Sequence, residues 1–420
     1  LGPPPERAAV RAVWVILAVA LAVRIAAVAV HPDYVPIGDP ADYERIARSV
    51  SEDGKYPGRT EGLPGPSAYR PPVYPVALGV VYAVAPVEER TWARLVQALV
   101  GTVTVALVGL VAWLALRRRR VALVAMAVAA VWPPMWVLNG ALLSESVFVP
   151  LTLGAVAAAL VARERGTWRW IVACGVLVGL AWLTRANGVA LLLPVAVALW
   201  GVHRRRWLAP VAMAAVAALT VAPWTIRNAV VMDHFVPVAV EDGYGLAGTY
   251  NDVARNHEQF PAAWVNWYDV PSNVRIVRSV ENDEIAWNDA LREEALEFIG
   301  DHPGYVPKVA WWNLRRLFDA AGLEWLRYEY GAYGLPRWMA PLELATFWPL
   351  ALLALAGAFT AAARAAPRWL VLVPAILLLP IFIAGYMRFR VPIDPFLAIL
   401  AACAIVAVVE RRAGAPARPG

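Results

Sequence analysis

Long apolar runs separated by short polar segments dominate the chain, and their lengths are close to what a bilayer requires. A hydrocarbon core about 30 Å thick needs about 20 apolar residues in a helix. The pattern therefore predicts transmembrane helices. The runs long enough to span or nearly span a membrane are 12–30, 92–116, 121–138, 146–162, 170–184, 187–201, 208–223, 341–362, 369–385 and 395–409.

Composition supports a membrane protein. Of the 420 residues, 60% are apolar, against about 45–50% in average soluble proteins. A water-soluble core could not bury that much apolar surface, so we predict an all-α polytopic membrane protein with about ten transmembrane helices. Cys174 and Cys403 lie in apolar runs far apart in the chain, which favours buried small residues over a disulfide or a metal site.

A further apolar run, 72–86, is shorter and begins at Pro71-Pro72. If it does not cross, the basic residues of the short connections fall on the same side as Arg7 and Arg11, as the positive-inside rule requires. We therefore predict a re-entrant or interfacial helix, with both termini cytoplasmic. These basic residues are Arg117–Arg120, Arg163, Arg165, Arg169, Arg204–Arg206, Arg364, Arg368, Arg411, Arg412 and Arg418.

The predicted organisation has three parts in the plasma (inner) membrane. Residues 1–223 form an N-terminal transmembrane module that includes outer loop 1 (31–91), and its run 12–30 is interpreted as a retained signal anchor. Residues 224–340 form a Trp- and Tyr-rich extracytoplasmic loop 2, and residues 341–420 form the C-terminal helices and a cytoplasmic tail. Labels at Arg119 and Asn282 are expected to react from opposite sides.

Outer loop 1 contains a helix start at Gly38-Asp39-Pro40. Asp39 fits the N-cap, Pro40 the first helical position and Asp42 the first turn. One interpretation is plain capping. The other is a carboxylate at the membrane surface, beside the re-entrant segment, acting as a general base. Ile46 and Val50, four residues apart, are expected to face the membrane.

Arg70 stands directly before the re-entrant segment, in Tyr69-Arg70-Pro71-Pro72. It could be an interfacial arginine that snorkels to lipid phosphates. Alternatively, its guanidinium fork could hold the phosphate of a lipid-linked substrate.

Other polar groups recur at the same predicted outer face. Each could be a helix-end anchor, but ionisable groups at the membrane are expensive and are functional candidates by default. Because both signs of charge recur on one face, we predict a shared anion-binding site. The members are Glu145 in a turn with Ser144 and Ser146, Arg185 and Asn187 in the next, Arg227 and Asn228 after a span, and Arg388, Arg390 and Asp394 in the last.

The order of these motifs resembles the GT-C class of integral-membrane glycosyltransferases, most of all the bacterial relatives of protein O-mannosyltransferases and of the lipid A aminoarabinose transferase. The resemblance covers most of 10–230 and the last outer turn. It rests on Asp39 with Tyr43, Arg70-Pro71-Pro72, Glu145, the run Gly179 to Arg185, Pro223 to Asn228, and Arg388 to Pro392.

The resemblance implies transfer of a sugar from a polyprenyl-phosphate carrier to a hydroxyl of a lipid, glycan or protein acceptor on the outer face, with inversion. Asp39 would take the proton, with Asp42 as the alternative. Glu145 would be a second catalytic acid that positions the acceptor or a cation. The proposed substrate-binding residues are Tyr43, Arg70, Arg185, Arg227, Arg388 and Arg390.

Two departures from the family pattern stand in this sequence. Pro40 follows Asp39 where the relatives usually have Glu, and Tyr69 precedes Arg70 where the aminoarabinose transferase has Glu before Lys-Pro-Pro. A divalent metal stays open as a cofactor, but the glutamate on which its site would be built is missing. No nucleic-acid partner is expected.

Two rival functions use the same features. A transporter or flippase of lipid-linked substrates would also have a basic outer cavity, but such proteins commonly contain repeats and helices broken at the midplane. A non-catalytic assembly partner would use loop 2 as its binding module.

Overall fold

The structure is a computed structural model that describes residues 5–58, 66–85, 87–280 and 283–414. The described residues form helices and connecting segments and contain no β-strand. The predicted all-α class is therefore confirmed. Arg418 of the tail and Asn282, the labelling position in loop 2, lie outside the described residues.

The N-terminal part contains nine α-helices, counted over the residues described there. They are α1 (Pro5–Ala29), α2 (Asp39–Asp53), α3 (Val73–Val84), α4 (Glu89–Leu116), α5 (Arg119–Val131), α6 (Glu145–Arg165), α7 (Trp168–Trp182), α8 (Leu192–Leu199) and α9 (Leu208–Met232). Short 3-10 helices are Pro133–Met135, Val137–Gly140 and Ala186–Leu191.

Loop 2 is also helical, and the C-terminal part returns to apolar helices. Loop 2 contains α10 (Asp242–Thr249), α11 (Asp252–Arg255), α12 (Pro271–Ser279), α13 (Glu284–Asp301), α14 (Tyr305–Leu317) and α15 (Leu323–Ala332), with a 3-10 turn at Trp267–Asp269. The C-terminal helices are α16 (Ala340–Ala358), α17 (Ala361–Arg364), α18 (Leu372–Leu377), α19 (Met387–Arg390) and α20 (Asp394–Arg412), with 3-10 turns at Arg337–Met339, Arg368–Val371 and Leu379–Phe382.

Five helices in the described part of the chain are long and apolar enough to cross a membrane, so the chain is a multi-pass membrane protein. They are Arg7–Ala29, Glu89–Leu116, Glu145–Arg165, Leu208–Met232 and Arg337–Ala358. Most of the other predicted spans are shorter or interrupted, while 395–409 lies in the continuous 19-residue helix α20, which carries charged residues at both ends. For example, the run 121–138 is a 13-residue helix that ends before Pro133 and Pro134, because proline cannot continue the hydrogen-bond ladder. Ten crossings therefore remain a prediction.

The two helices of outer loop 1 pack against each other. A Cβ added at Gly79 of α3 would lie 2.9 Å from the Ala47 carbonyl oxygen and from Val50 of α2, so a glycine is needed for this close approach. Ile46 is buried. The expectation that Ile46 and Val50 face the membrane is therefore wrong, because the apolar side of α2 covers α3.

With 12 residues, α3 is about 18 Å long, too short for a bilayer core of about 30 Å.

The side chain of Arg24, deep in the first span, hydrogen-bonds to the C-terminal end of a neighbouring helix. Its guanidinium donates to the carbonyl oxygens of Ala129, Ala130 and Met135 at 3.0–3.4 Å. The first two belong to the last turn of α5, whose carbonyls have no partner within the helix. The buried Arg24 therefore supplies hydrogen-bond donors to the carbonyl groups that are left without partners where α5 ends before Pro133.

Arginines of the connection after α4 contact acidic residues at the ends of two other helices. Arg117 forms an ion pair with Glu164. Arg118 and Arg120 lie 3.8 and 3.5 Å from Glu410. The connection after α4, the end of α6 and the end of α20 are thus neighbours, as expected if they lie on one side of the membrane.

Cysteine labelling tests the predicted sidedness. Cys174 and Cys403 are buried and are first replaced by Ala. We expect Arg119→Cys, at an exposed position, to react only from the cytoplasmic side. Glu293→Cys on α13, also exposed, is expected to react only from the outside. Reversed labelling, with Arg119→Cys reacting from the outside and Glu293→Cys from the cytoplasm, would contradict the placement of 72–86 as a segment that does not cross, because a crossing there would move both positions to the other side.

Candidate active site

Asp39 is the first residue of α2, and the preceding residue, Gly38, occupies the N-cap position. Gly38 has a φ of 63°, and no side chain caps the helix. The prediction of Asp39 as the N-cap is therefore wrong by one position. The positive φ of Gly38 suits glycine, and the Asp39 carboxylate points at two arginines instead of the helix amides.

The Asp39 carboxylate lies between Arg70 and Arg388. Its Oδ1 accepts from Arg70 Nη2 at 2.5 Å, and its Oδ2 forms an ion pair with Arg388 Nη1. Burial alone would raise the pKa of Asp39. The charges of Arg388 and Arg70 outweigh burial and hold that pKa well below its usual range. Two arginines more than 300 residues apart in sequence thus share one carboxylate.

Loop 2 and the end of α9 fix the segment that carries Arg70. The Glu284 carboxylate of α13 accepts from Ser67 Oγ at 2.7 Å and from the Ala68 amide at 2.9 Å. Arg227 donates to the Ser67 carbonyl at 2.8 Å. These contacts, made to the residues two and three before Arg70, hold the backbone from which the guanidinium projects.

Arg227 itself does not join the other predicted site residues. Its guanidinium lies 4.7 Å from the ring centroid of Trp224 and 5.5 Å from that of Tyr56. Tyr56 in turn donates to the Arg70 carbonyl at 2.6 Å. The structure therefore places Arg227 behind the Arg70 segment, where it supports that segment.

A second ion pair stands beside the first. Glu145, the first residue of α6, is buried, and its Oε1 accepts from Arg185 Nη1 at 2.5 Å. Arg185 also donates to Ser144 Oγ at 3.0 Å, and Tyr43 of α2 donates to the same oxygen at 3.2 Å. Arg388 Nε lies 3.8 Å from Glu145 Oε1, so Arg388 links the two ion pairs.

Two more carboxylates complete this group. Asp42 Oδ2 accepts from Arg70 Nη2 at 3.0 Å. Glu241, directly before α10, has its Oε2 3.8 Å from Arg70 Nη1. Sequence reasoning missed Glu241, because loop 2 offers no motif around it beyond the acidic pair Glu241-Asp242. We call these seven residues the outer cluster: Asp39, Asp42, Arg70, Glu145, Arg185, Glu241 and Arg388.

Arg390 lies outside the outer cluster, contrary to the prediction. It is completely buried and donates to Asp319 at 2.8 Å, Glu343 at 2.7 Å and Asp394 at 3.1 Å. Burial raises the pKa of Asp319, although the charge of Arg390 opposes this. Arg390 is thus enclosed among three carboxylates that already occupy its donors.

The residues described in the structure contain no group of three or more His, Cys, Asp or Glu side chains arranged to hold a metal ion. The carboxylates of the outer cluster are instead paired with guanidinium groups. These pairings do not fit a metal site, so we assign no metal ligands here.

The chain was compared with known proteins. A family model for dolichyl-phosphate-mannose-protein mannosyltransferase matches residues 69–226, less than half of the chain, and this range includes Arg70, Glu145 and Arg185. A search of curated proteins found no match.

Solved structures share the fold. The oligosaccharyltransferase AglB from Archaeoglobus fulgidus, in complex with an inhibitory peptide and a dolichol-phosphate, matches with a TM-score of 0.57 at 15% identity and covers 97% of this chain and 52% of its own. The apo form of the Archaeoglobus fulgidus oligosaccharyltransferase gives 0.59 at 14% identity, covering 96% and 51%. ArnT from Cupriavidus metallidurans bound to undecaprenyl phosphate gives 0.45 at 17%, covering 95% and 78%.

The chain spans about half the length of the archaeal oligosaccharyltransferases that it matches. At these identities the likeness concerns the fold. The resemblance inferred from the sequence motifs is thus confirmed: the chain has the fold of the GT-C class of integral-membrane glycosyltransferases.

Proposed function

We propose that this protein transfers a sugar from a polyprenyl-phosphate donor to an acceptor hydroxyl on the extracytoplasmic face of the inner membrane. The observation that carries the proposal is the Asp39 carboxylate held between Arg70 and Arg388. That arrangement combines a base with cations suited to a phosphate. The AglB structure, which shares the fold, contains a dolichol-phosphate, and this supports a lipid-phosphate ligand here.

Three arginines would receive the donor phosphate. The side chains of Arg70, Arg185 and Arg388 are only 9, 10 and 12% exposed. Arginines that snorkel to the membrane surface would keep their charged ends in water, so this burial supports ligand binding. Guanidinium groups bind phosphate through paired hydrogen bonds and stabilise the negative charge that develops on a leaving group.

In the proposed reaction the acceptor oxygen attacks the anomeric carbon from the face opposite the phosphate. A C–O bond forms to the acceptor, the bond between the sugar carbon and the phosphate oxygen breaks, and its electron pair leaves with the polyprenyl phosphate. The acceptor proton passes to Asp39, with Asp42 as the alternative. One displacement of this kind inverts the anomeric centre.

The two arginines also control how basic Asp39 is. While both hold it, its pKa stays low, which makes a weak base. A bound phosphate competes with Asp39 for Arg70 and Arg388. Each arginine that turns to the phosphate removes a charge that lowers this pKa. Donor binding would therefore make Asp39 a better base just when the base is needed.

Glu145 takes a different role from the one the sequence suggested. It is 1% exposed and hydrogen-bonded to Arg185, so it is too enclosed to receive an acceptor or a cation. We propose that Glu145 orients Arg185 and Arg388 toward the phosphate. Tyr43 supports the same group through Ser144. The organisation into a catalytic module (1–223), loop 2 (224–340) and C-terminal helices (341–420) is part of this proposal, with loop 2 serving the acceptor.

Undecaprenyl phosphate provides the direct test. We expect it to raise the thermal unfolding midpoint of the purified full chain in detergent, because a ligand that binds only the folded state stabilises that state. Undecaprenol, which lacks the phosphate, is the matched control and should have little effect. Equal stabilisation by both lipids would contradict a phosphate-binding site.

Catalysis is tested with a panel of undecaprenyl-phosphate sugars. Release of undecaprenyl phosphate, together with a glycosylated product from octyl mannoside or a Ser/Thr peptide, is the expected result. A flippase would move the lipid and leave the bond between sugar and phosphate intact. Lipid movement without bond cleavage would therefore favour the rival function.

A further inference from the structure

We infer that Glu241, contributed by loop 2, weakens the hold of the outer cluster on the lipid phosphate and so promotes release of the carrier after transfer. The inference rests on the proposed function. No sequence motif indicated this carboxylate. The inference gives loop 2 a role in binding the lipid-linked donor, in addition to its proposed role in binding the acceptor.

The backbone places Glu241 beside Arg70. The Val240 amide donates to the Ala68 carbonyl at 2.9 Å, so the chain leading into α10 lies against the chain leading into α3. One residue after this contact, the Glu241 side chain reaches the Arg70 guanidinium. Glu241 stands at the N-cap of α10 but makes no capping hydrogen bond, so capping does not explain its position.

Glu241 differs from the other carboxylates of the outer cluster in how it is held. Asp39, Asp42 and Glu145 each accept a hydrogen bond from an arginine at 3.0 Å or less. Glu241 lies 3.8 Å from Arg70 Nη1, beyond hydrogen-bond distance, and no residue that the structure describes donates a hydrogen bond to its side chain. Its side chain is 34% exposed, against 9% for Arg70. It is therefore the carboxylate at the open side of the cluster.

Glu241 is also the surplus charge. The outer cluster has three arginines and four carboxylates, and without Glu241 the charges balance. Partial burial raises the pKa of Glu241, against the opposing charges of Arg70 and Arg185, which agrees with an anion whose charge is poorly compensated. A phosphate that approaches Arg70 meets this negative charge and competes with it for the same guanidinium.

The chemistry of the transfer explains why such a charge is useful. A sugar-linked polyprenyl phosphate is a phosphodiester with one negative charge. The released carrier is a phosphate monoester with about −1.5 to −2 at pH 7. Three buried arginines would bind the released carrier more tightly than the donor, and the site would remain occupied by its product. Repulsion from Glu241 acts most strongly on the more highly charged monoester.

The test is the affinity of the purified full chain for undecaprenyl phosphate, measured by titration with thermal stabilisation as the readout. We expect Glu241→Gln to tighten binding about three- to tenfold, as expected for removal of one nearby repulsive charge at a partly exposed site. Glu241→Asp keeps the charge and should retain wild-type affinity within about twofold. A gain in affinity cannot result from misfolding.

Glu297→Gln is the matched control. It removes the same charge from an exposed position on α13, about 20 Å along that helix from Glu284, which contacts the Arg70 segment. It should leave the affinity unchanged. Unchanged or weaker binding by Glu241→Gln would overturn the inference, as would tightening by Glu297→Gln to the same extent. If the wild type does not bind undecaprenyl phosphate at all, the proposed function fails instead.

Discussion

Replacement of Asp39 by Asn is expected to lower the rate of sugar transfer about 10²- to 10⁴-fold, the usual contribution of a positioned general base. The amide has nearly the same shape, but it cannot accept the acceptor's proton at neutral pH. The measurement is transfer from undecaprenyl-phosphate sugars by purified protein. Wild-type transfer by Asp39→Asn would remove Asp39 from the mechanism.

The fold should survive this change because each arginine keeps another partner. Arg70 retains Asp42 at 3.0 Å, and Arg388 retains Glu145 at 3.8 Å. The unfolding midpoint of Asp39→Asn should therefore stay near that of the wild type. Asp42→Asn is the matched control. If it abolishes transfer while Asp39→Asn does not, the proton goes to Asp42.

Replacement of Arg390 by Gln is expected to lower the free energy of unfolding by about 3–5 kcal/mol, the typical cost of removing one partner from a buried ion pair. The change leaves Asp319, Glu343 and Asp394 without their shared cation in a site closed to water. The arginine also lies over the Phe347 ring, with 4.1 Å between the guanidinium carbon and the ring centroid. Thermal unfolding in detergent provides the measurement.

Arg388→Gln, only two residues away, is the contrasting variant. It should weaken undecaprenyl phosphate binding about tenfold or more, since charged hydrogen bonds at a binding site are worth about 1.5–3 kcal/mol. Its unfolding midpoint should change much less than that of Arg390→Gln. The reverse outcome, with loss of lipid binding confined to Arg390→Gln in a folded protein, would show that Arg390 belongs to the site.

The pair also shows where prediction from sequence stops. Arg388 and Arg390 occur in one Arg-x-Arg turn, and both looked equally suited to a phosphate. In α19 they are two residues apart, about 200° around the helix axis, so their side chains leave on opposite sides. One reaches Asp39, and the other reaches three acids of α16, α20 and the segment after α14.

Much of the architecture was readable from local pattern. Apolar runs predicted the long helices. The distribution of Arg predicted which connections lie at the same end of the molecule, and the ion pairs of Arg118 and Arg120 with Glu410 agree with this prediction. Hydropathy and charge distribution are sums over many residues, so one misinterpreted residue changes the prediction little. Breaks in the shorter runs were less visible, because partners such as Arg24, which completes the end of α5, come from distant helices.

The membrane class, the family resemblance and most of the acids and arginines from which the site is built could be read from the amino-acid sequence. How these residues pair became visible only in the folded chain. The tertiary structure turned Asp39 from a helix cap into a carboxylate shared by Arg70 and Arg388, and it added Glu241 from loop 2. The physical reason is that hydropathy acts through local composition, whereas an ion pair depends on the direction of two side chains whose positions along the chain are unrelated.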